Sequence, residues 1–164
     1  MIGSVEIFAG RILIVDDMPT NVLLLKRMLE SAGYEAITTT TKPETVCALH
    51  LEHRYDLIIL DLQMPGMDGF AVMEGLKIIE TDGYLPVLVL TAQADHKLRA
   101  LGAGAKDFVS KPFELAEVLV RVHNMLEVRL LHLETRRLYE RVSAEKRCRN
   151  ACCLTCFPMP SPSA

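Results

Sequence analysis

The chain has 164 residues, 50% of them apolar, and a formal net charge of −3 at pH 7. This length suits one domain with a full core and a tail better than it suits two domains. The small negative charge gives no overall attraction to nucleic acid, and no apolar run approaches the roughly 20 residues that cross a bilayer. We therefore expect a soluble, cytoplasmic protein without membrane contact, for which binding to nucleic acid is disfavoured.

Apolar runs and turn residues predict five strands that alternate with helices. Residues 1–10 show no clear pattern and form an N-terminal lead. The predicted strands cover residues 11–15, 35–40, 57–61, 85–90 and 107–110, and the predicted helices cover about 21–32, 43–53, 68–80 and 96–101. Thr41 and Glu44 have the spacing of a capping box at the second helix. The alternation indicates an α/β fold, in which a parallel sheet carries helices on both faces.

A last helix is predicted from residue 114 to about residue 147, which is longer than the domain needs. An apolar seam with alternating spacings of three and four runs along it, formed by Val128, Leu131, Thr135, Leu138 and Val142. Such a seam favours a helical homodimer, as in a coiled coil, over residues 126–149. The alternative is an extension that packs partly on its own domain or frays.

The C-terminal tail contains four of the five cysteines, Cys148, Cys152, Cys153 and Cys156. The spacing of the last two would suit zinc or a redox disulfide, but the second pair of a structural zinc site is incomplete and no histidine follows. Three prolines within residues 158–162 prevent regular structure. We therefore predict a disordered Cys- and Pro-rich tail over residues 150–164. The abrupt change at about residue 150 also resembles a chain cut short.

Polar side chains follow four of the predicted strands at the point where each strand ends. Asp16 and Asp17 follow the first strand, Asp61 the third, Thr91 the fourth and Lys111 the fifth. The carboxyl ends of parallel strands lie at one edge of the sheet, where open α/β folds bind ligands. Each residue alone would be an ordinary turn or capping residue. Together they predict one shallow site that contains carboxylates, a hydroxyl and an ammonium group.

This combination of groups suits phosphoryl chemistry. Clustered carboxylates repel one another unless a cation offsets their charge, and hard oxygen ligands at an exposed site suit Mg²⁺ better than zinc. A cation beside Asp61 would let its carboxylate attack an anionic phosphoryl group. Lys111 could hold one phosphoryl oxygen as a point charge, and the Thr91 hydroxyl could donate to another.

Over residues 11–125 the sequence resembles the receiver domains of two-component response regulators, the chemotaxis-Y-like superfamily. That family has an acidic pair after its first strand, a phosphoacceptor Asp after the third, Thr or Ser after the fourth, and Lys-Pro after the fifth. In this chain Asp61 lies 44 residues after Asp17, Thr91 lies 30 residues after Asp61, and Lys111 lies 20 residues after Thr91. The resemblance implies the flavodoxin-like strand order 2-1-3-4-5.

The resemblance also implies how the carboxylates would work. Asp61 would be the phosphorylated residue, and the phosphoryl donor would be the phosphohistidine of a sensor histidine kinase or a phosphotransfer protein. Asp17, Asp61 and the backbone carbonyl of Gln63 would hold Mg²⁺, and Asp16 would act partly through water.

Further implied roles concern the phosphoryl group and the switch. Thr91 and Lys111 would bind the phosphoryl group and so complete the catalytic set with Asp61. The bond between Lys111 and Pro112 would be cis, as in similar proteins. Phe108 occupies the position of the family's switching aromatic residue, which turns inward when Thr91 moves toward the phosphoryl group. The face that responds comprises the fourth helix, fifth strand and fifth helix, counted from the helix after the first strand.

The favoured function is a phosphorylation-driven switch that signals by changing a protein interface. No additional base, nucleophile or cofactor loop is visible, so we expect no enzymatic turnover beyond the chain's own phosphotransfer and dephosphorylation. Two alternatives stay open: a receiver fragment of a longer regulator, for example of a cyclic-dinucleotide enzyme, and a constitutive helical scaffold for dimerisation. DNA binding by the basic stretch 136–149 is disfavoured, because acidic residues interleave with the basic ones.

Overall fold

Five short strands form one parallel sheet in the computed structural model, which describes residues 3–80, 83–93 and 95–155. The strands are β1 (Ile12–Val15), β2 (Ile37–Thr40), β3 (Leu57–Asp61), β4 (Val87–Thr91) and β5 (Asp107–Ser110). Their order across the sheet is β2-β1-β3-β4-β5, and all neighbouring pairs are parallel. The predicted α/β fold class and its flavodoxin-like strand order are therefore confirmed.

The register of the strands brings their carboxyl ends to one edge of the sheet. Val15 at the end of β1 pairs with Leu60 in β3, so Asp61 follows one position further on. Thr91 at the end of β4 pairs with Ser110 at the end of β5. The polar residues at the ends of β1, β3, β4 and β5 are therefore neighbours along this edge.

Six helices accompany the sheet over the described residues. They are α1 (Ser4–Phe8), α2 (Pro19–Ser31), α3 (Val46–His53), α4 (Gly69–Ile79), α5 (Asp95–Gly102) and α6 (Leu115–Thr155). The short helix α1 lies in the stretch for which the sequence showed no pattern, because a single turn has no periodicity to detect. Its Ile7 is 4% exposed, and Phe8 packs edge to face with Tyr34 at 5.1 Å between ring centroids.

Each face of the sheet contributes to its own apolar cluster, as expected for a parallel sheet covered on both sides. One face presents Ile12, Ile14 and Ile59, which pack with residues of α2 and α6. The opposite face presents alternating residues such as Leu13 and Ile58, which pack with residues of α3, α4 and α5. All five of these strand residues have an exposed fraction of 0%.

The predicted capping box of Thr41 and Glu44 does not form. A 3-10 turn, Pro43–Thr45, precedes α3, and its N-cap Lys42 makes no side-chain cap. The hydroxyl of Thr40 instead accepts the Lys42 N–H at 3.1 Å, and the Thr45 hydroxyl donates to the Lys42 carbonyl at 2.7 Å. Pro43 has no N–H and fixes its own φ, so the chain enters a tight turn here and not a capped α-helix.

The helix α6 extends to Thr155 and is longer than predicted, so residue 150 lies inside it. The side chains of residues 150–155 and all of residues 156–164 lie outside the described part, including the Cys-x-x-Cys thiols. Residues Met1–Leu131 form one compact unit and His132–Ala164 a second. No helix among the described residues is both long enough and apolar enough to cross a membrane.

In the first unit, a buried arginine of α6 contacts the end of the sheet opposite the strand-end carboxylates. Arg129 is 4% exposed. Its guanidinium donates to the backbone carbonyl of Tyr84, just before β4, and lies 4.0 Å from the Asp56 carboxylate, just before β3. A charged side chain is rarely buried unless it is paired in this way. Arg129 therefore fixes α6 to the amino ends of two central strands.

Candidate functional site

Three carboxylates meet at the carboxyl edge of the sheet. Asp16 and Asp17 follow β1, and Asp61 is the last residue of β3. One carboxylate oxygen from each lies within 4.8 Å of those of the other two. Asp16 is fully buried and Asp61 is 3% exposed, whereas Asp17 is half-buried. The predicted acidic cluster is therefore present, with one member open to solvent.

Lys111 supplies positive charge to this cluster. Its Nζ lies 3.0 Å from Asp61 Oδ2 and 3.4 Å from Asp16 Oδ2. The lysine follows β5 directly, and the peptide bond between Lys111 and Pro112 is cis. The single ammonium group bridges two buried carboxylates, so it offsets part of their mutual repulsion.

Burial is the main influence on the Asp61 carboxyl and raises its pKa above the ordinary value. The charge of Asp16 acts in the same direction. Lys111 and the Gln63 N–H, 3.2 Å from Asp61 Oδ1, act in the opposite direction because they favour the charged form. The ionised carboxylate is therefore less stable here than in water, and a further cation in the cluster would stabilise it.

The other predicted residues lie along the neighbouring strands. The Thr91 hydroxyl is fully buried at the end of β4, accepts the Gln93 N–H at 3.1 Å and donates to the Gln93 carbonyl at 3.4 Å. Phe108 in β5 is half-buried, and the Nζ of Lys97 in α5 lies 5.1 Å from its ring centroid. In this structure the Thr91 hydroxyl is thus engaged in its own turn, while Phe108 packs beneath α5.

Two residues of the site were not predicted. Asn21, in the first turn of α2, donates through Nδ2 to both carboxylate oxygens of Asp16. Gly69, the first residue of α4, lies so close to β3 that a Cβ atom would be 2.8 Å from the Asp61 carbonyl oxygen and from Leu62 Cα. The sequence placed both Asn21 and Gly69 only at the starts of predicted helices, because neither contact has a sequence signature.

The donor set at this edge fits a hard divalent cation. Asp16, Asp17 and Asp61 offer only oxygen atoms, and Asp17 keeps the cluster accessible from solvent. Mg²⁺ prefers oxygen ligands from one or two carboxylates and retains several waters, whereas zinc prefers nitrogen and sulfur. The side chains present therefore fit Mg²⁺.

The receiver domain family of response regulators matches residues 12–123 of this chain. The match covers more than half of the chain and contains the acidic cluster, Thr91 and Lys111. The chain belongs to the response regulator receiver domain family.

Individual relatives agree with this assignment. The chain is 37% identical to the response regulator PleD of Caulobacter vibrioides over 130 residues, which are 78% of this chain and 28% of PleD. It is 40% identical over 118 residues to the DNA-binding dual master transcriptional regulator RpaA of Synechocystis, covering 71% of this chain and 48% of RpaA. The chain thus spans half or less of the length of these two relatives.

The fold of this chain also resembles that of a solved receiver domain. The receiver domain of the sensor histidine kinase PA1611 of Pseudomonas aeruginosa superposes with a TM-score of 0.66 and 30% identity, over 73% of this chain and 98% of that domain. That structure holds a magnesium ion in its active-site cleft.

Proposed function

We propose that this chain accepts a phosphoryl group on Asp61 and responds by changing a protein interface. The observation that supports this best is the buried Asp61 carboxylate, which lies 3.0 Å from the Lys111 ammonium within a group of three carboxylates. Such an arrangement places a nucleophilic oxygen beside a cation that can hold a phosphoryl oxygen.

The metal would be Mg²⁺, held by Asp17, Asp61 and the Gln63 backbone carbonyl, with Asp16 acting through water. Bound Mg²⁺ would offset the negative charge of the carboxylates and of an incoming phosphoryl group. Asp16 and Asp61 are buried and already share the ammonium of Lys111. The half-buried Asp17 carboxylate is therefore the natural point of entry for the cation.

The phosphoryl donor would be the phosphohistidine of a histidine kinase or a phosphotransfer protein. A carboxylate oxygen of Asp61 attacks phosphorus as the bond between phosphorus and the histidine nitrogen breaks. The leaving imidazole keeps the electron pair and takes a proton from solvent, and an acyl phosphate forms on Asp61. Lys111 then exchanges its contact with Asp61 for one with a phosphoryl oxygen.

The response would begin at Thr91 and Phe108. To donate to the phosphoryl group, the Thr91 hydroxyl must give up the hydrogen bond that it donates to the Gln93 carbonyl. Its movement makes room for Phe108 to turn inward and leave the contact with Lys97. The face formed by α5, β5 and the first part of α6 would change as a result and carry the signal. The reactions of this chain would be its own phosphotransfer and dephosphorylation, and the chain would act in the cytoplasm.

An intact-mass measurement with acetyl phosphate and MgCl₂ tests the proposed phosphorylation. We expect a mass increase of one phosphoryl group that is absent when EDTA replaces MgCl₂. Reduction of the acyl phosphate with borohydride, followed by peptide mass analysis, should locate the modification at Asp61. Labelling at another residue, or labelling that is equal in EDTA, would contradict the proposal.

A second proposal concerns the apolar seam of α6, which would form a homodimer with a second copy of the chain. Among its residues, Val128, Leu131, Leu138 and Val142 are 47%, 43%, 54% and 51% exposed. Apolar side chains at this spacing on one helix suit the facing helix of a coiled coil. The exposed seam is the observation that favours dimerisation over a frayed extension.

Light scattering after size exclusion tests the dimer. We expect a mass of about twice the 18.3 kDa of one chain. Leu138→Lys should shift the mass toward the monomer, because it places a charge in the seam. Ala144→Lys should not, because Ala144 is exposed and lies at an outer c position of the same heptad pattern. A monomeric wild type would exclude the dimer. A dimer that is unaffected by beryllofluoride would favour a constitutive scaffold over a phosphorylation-dependent switch.

A further inference from the structure

The Asp16 carboxylate is surrounded by donors from three residues, two at the start of α2 and one after β5. Oδ1 accepts the Met18 N–H at 2.9 Å and Asn21 Nδ2 at 3.3 Å. Oδ2 accepts Asn21 Nδ2 at 3.1 Å and Lys111 Nζ at 3.4 Å. An ionised carboxylate has about four lone-pair sites. These contacts therefore use its whole capacity.

These donors differ in how easily they can leave. The Met18 N–H belongs to the backbone at the start of α2. Asn21 is fixed by the same helix turn, since its own N–H bonds to the Met18 carbonyl at 3.1 Å. Lys111 is different, because its ammonium also contacts Asp61 and would move to a phosphoryl oxygen in the proposed function. If Lys111 moves away, the Oδ2 lone pair that it now faces would be available to accept a hydrogen bond from a water on the bound cation.

We propose that Asn21 is a positioning residue for the metal site, an inference that rests on the proposed function. By donating to both oxygens, Asn21 fixes the plane of the Asp16 carboxylate so that the Oδ2 lone pair that now faces Lys111 is directed toward the acidic cluster. The amide brings donors without positive charge, so it does not oppose the binding of a divalent cation. A lysine or arginine at this position would hold Asp16 equally well but would repel Mg²⁺.

A purely structural role is the competing explanation, since the contact could serve only to stabilise the start of α2. The two explanations differ in what the removal of Asn21 does to Mg²⁺ binding. Loss of a helix-end contact lowers the midpoint of thermal unfolding and leaves the affinity for Mg²⁺ unchanged. Loss of a group that orients a metal-site carboxylate weakens Mg²⁺ binding, typically by 10- to 100-fold for such partners.

Calorimetric titration of the metal-free chain with MgCl₂ distinguishes these explanations. Asn21→Leu keeps the branched shape of the side chain and removes its donors, so we expect its Kd for Mg²⁺ to rise about 10-fold or more. Asn21→Ser keeps one hydroxyl donor and should fall between Asn21→Leu and wild type. The control Asn124→Leu changes the same residue type at an exposed position of α6 and should leave the Kd unchanged.

The rate of labelling by acetyl phosphate provides a second readout. The MgCl₂ concentration for half-maximal rate should rise in Asn21→Leu, while the rate at saturating MgCl₂ stays near that of wild type. A folded Asn21→Leu with the wild-type Kd would overturn the inference, and if that variant does not fold, Asn21→Ser decides by the same criterion. If the unmodified chain itself shows no saturable Mg²⁺ binding, the proposed function fails, and this inference fails with it.

Discussion

Asp61→Asn should abolish labelling by acetyl phosphate. Asparagine has nearly the shape of aspartate, but its amide oxygen is a poor nucleophile and cannot form the acyl phosphate. We expect the label, measured as intact mass in MgCl₂, to fall to background. Asp68→Asn is the matched control, because Asp68 is an exposed carboxylate in the loop after β3 that caps α4 through the Phe70 N–H at 3.2 Å. Asparagine caps a helix as well as aspartate does, so the control should label normally.

The same substitution should increase stability at neutral pH. Burial raises the pKa of Asp61 in the folded state, so the folded protein binds this proton more tightly than the unfolded chain. The resulting stability is complete below the ordinary pKa of 3.8 and is lost as the pH rises through the raised pKa of the folded state. Asparagine does not titrate. Across this pH range the free energy of unfolding of Asp61→Asn should therefore rise relative to that of wild type. At higher pH the difference between the two should stay constant.

Urea unfolding at a series of pH values measures this difference. EDTA must be present, because Mg²⁺ bound to the wild type alone would stabilise it and hide the effect. If Asp61→Asn is not more stable than wild type at neutral pH, or if the difference in stability shrinks as the pH rises, the contact with Lys111 outweighs the burial of Asp61. Loss of labelling together with a gain in stability would show that the site sacrifices stability for a reactive carboxylate.

Gly69→Ala should destabilise the folded protein by about 2–3 kcal/mol. Helix propensity alone predicts the opposite sign, since alanine stabilises a helix by about 1 kcal/mol relative to glycine. At this position, however, the new Cβ would lie 2.8 Å from two backbone atoms, the Asp61 carbonyl oxygen and Leu62 Cα. Backbone cannot rotate away as a flexible side chain can, so α4 must shift from the end of β3.

The midpoint of urea unfolding at constant m-value measures the effect of Gly69→Ala. Gly102→Ala is the control, because a Cβ atom at this last residue of α5 would meet nothing within 4 Å. We expect the control to change stability by less than about 0.5 kcal/mol. If both variants have the stability of wild type, α4 does not lie as close to the end of β3 as in this structure. A further consequence of the shift would be weaker Mg²⁺ binding by Gly69→Ala.

The strands and the site at their ends were accessible to sequence reasoning because each depends on a local pattern. An apolar run followed by a carboxylate, as at Asp61, indicates both the strand and its end. The parallel topology then brings Asp16, Asp17, Asp61 and Lys111 together without any knowledge of side-chain contacts. The strand ends therefore predict the position of the cluster but not the distances within it.

The features that sequence reasoning missed depend on contacts between distant segments. The bond of Asn21 to Asp16 requires the angle at which α2 leaves the sheet, and the closeness of Gly69 to Asp61 requires the position of α4. The predicted capping box of Thr41 and Glu44 was wrong for a local reason. The spacing of the two residues was right, but Pro43 lies between them and favours a tight turn. In that turn the hydroxyls of Thr40 and Thr45 bond the backbone groups of Lys42.

Because the guanidinium of Arg129 is buried, we expect the shortest chain that folds as a complete domain to extend at least to this residue. A polypeptide that stopped at residue 125, the limit indicated by the resemblance, would lose Leu126, which is fully buried, as well as Arg129. The Asp56 carboxylate and the Tyr84 carbonyl at the amino ends of β3 and β4 would then have no guanidinium beside them. Removal of one partner from a buried charged contact is costly. We therefore expect the minimal folding unit to include residues that lie well after the last motif of the phosphorylation site.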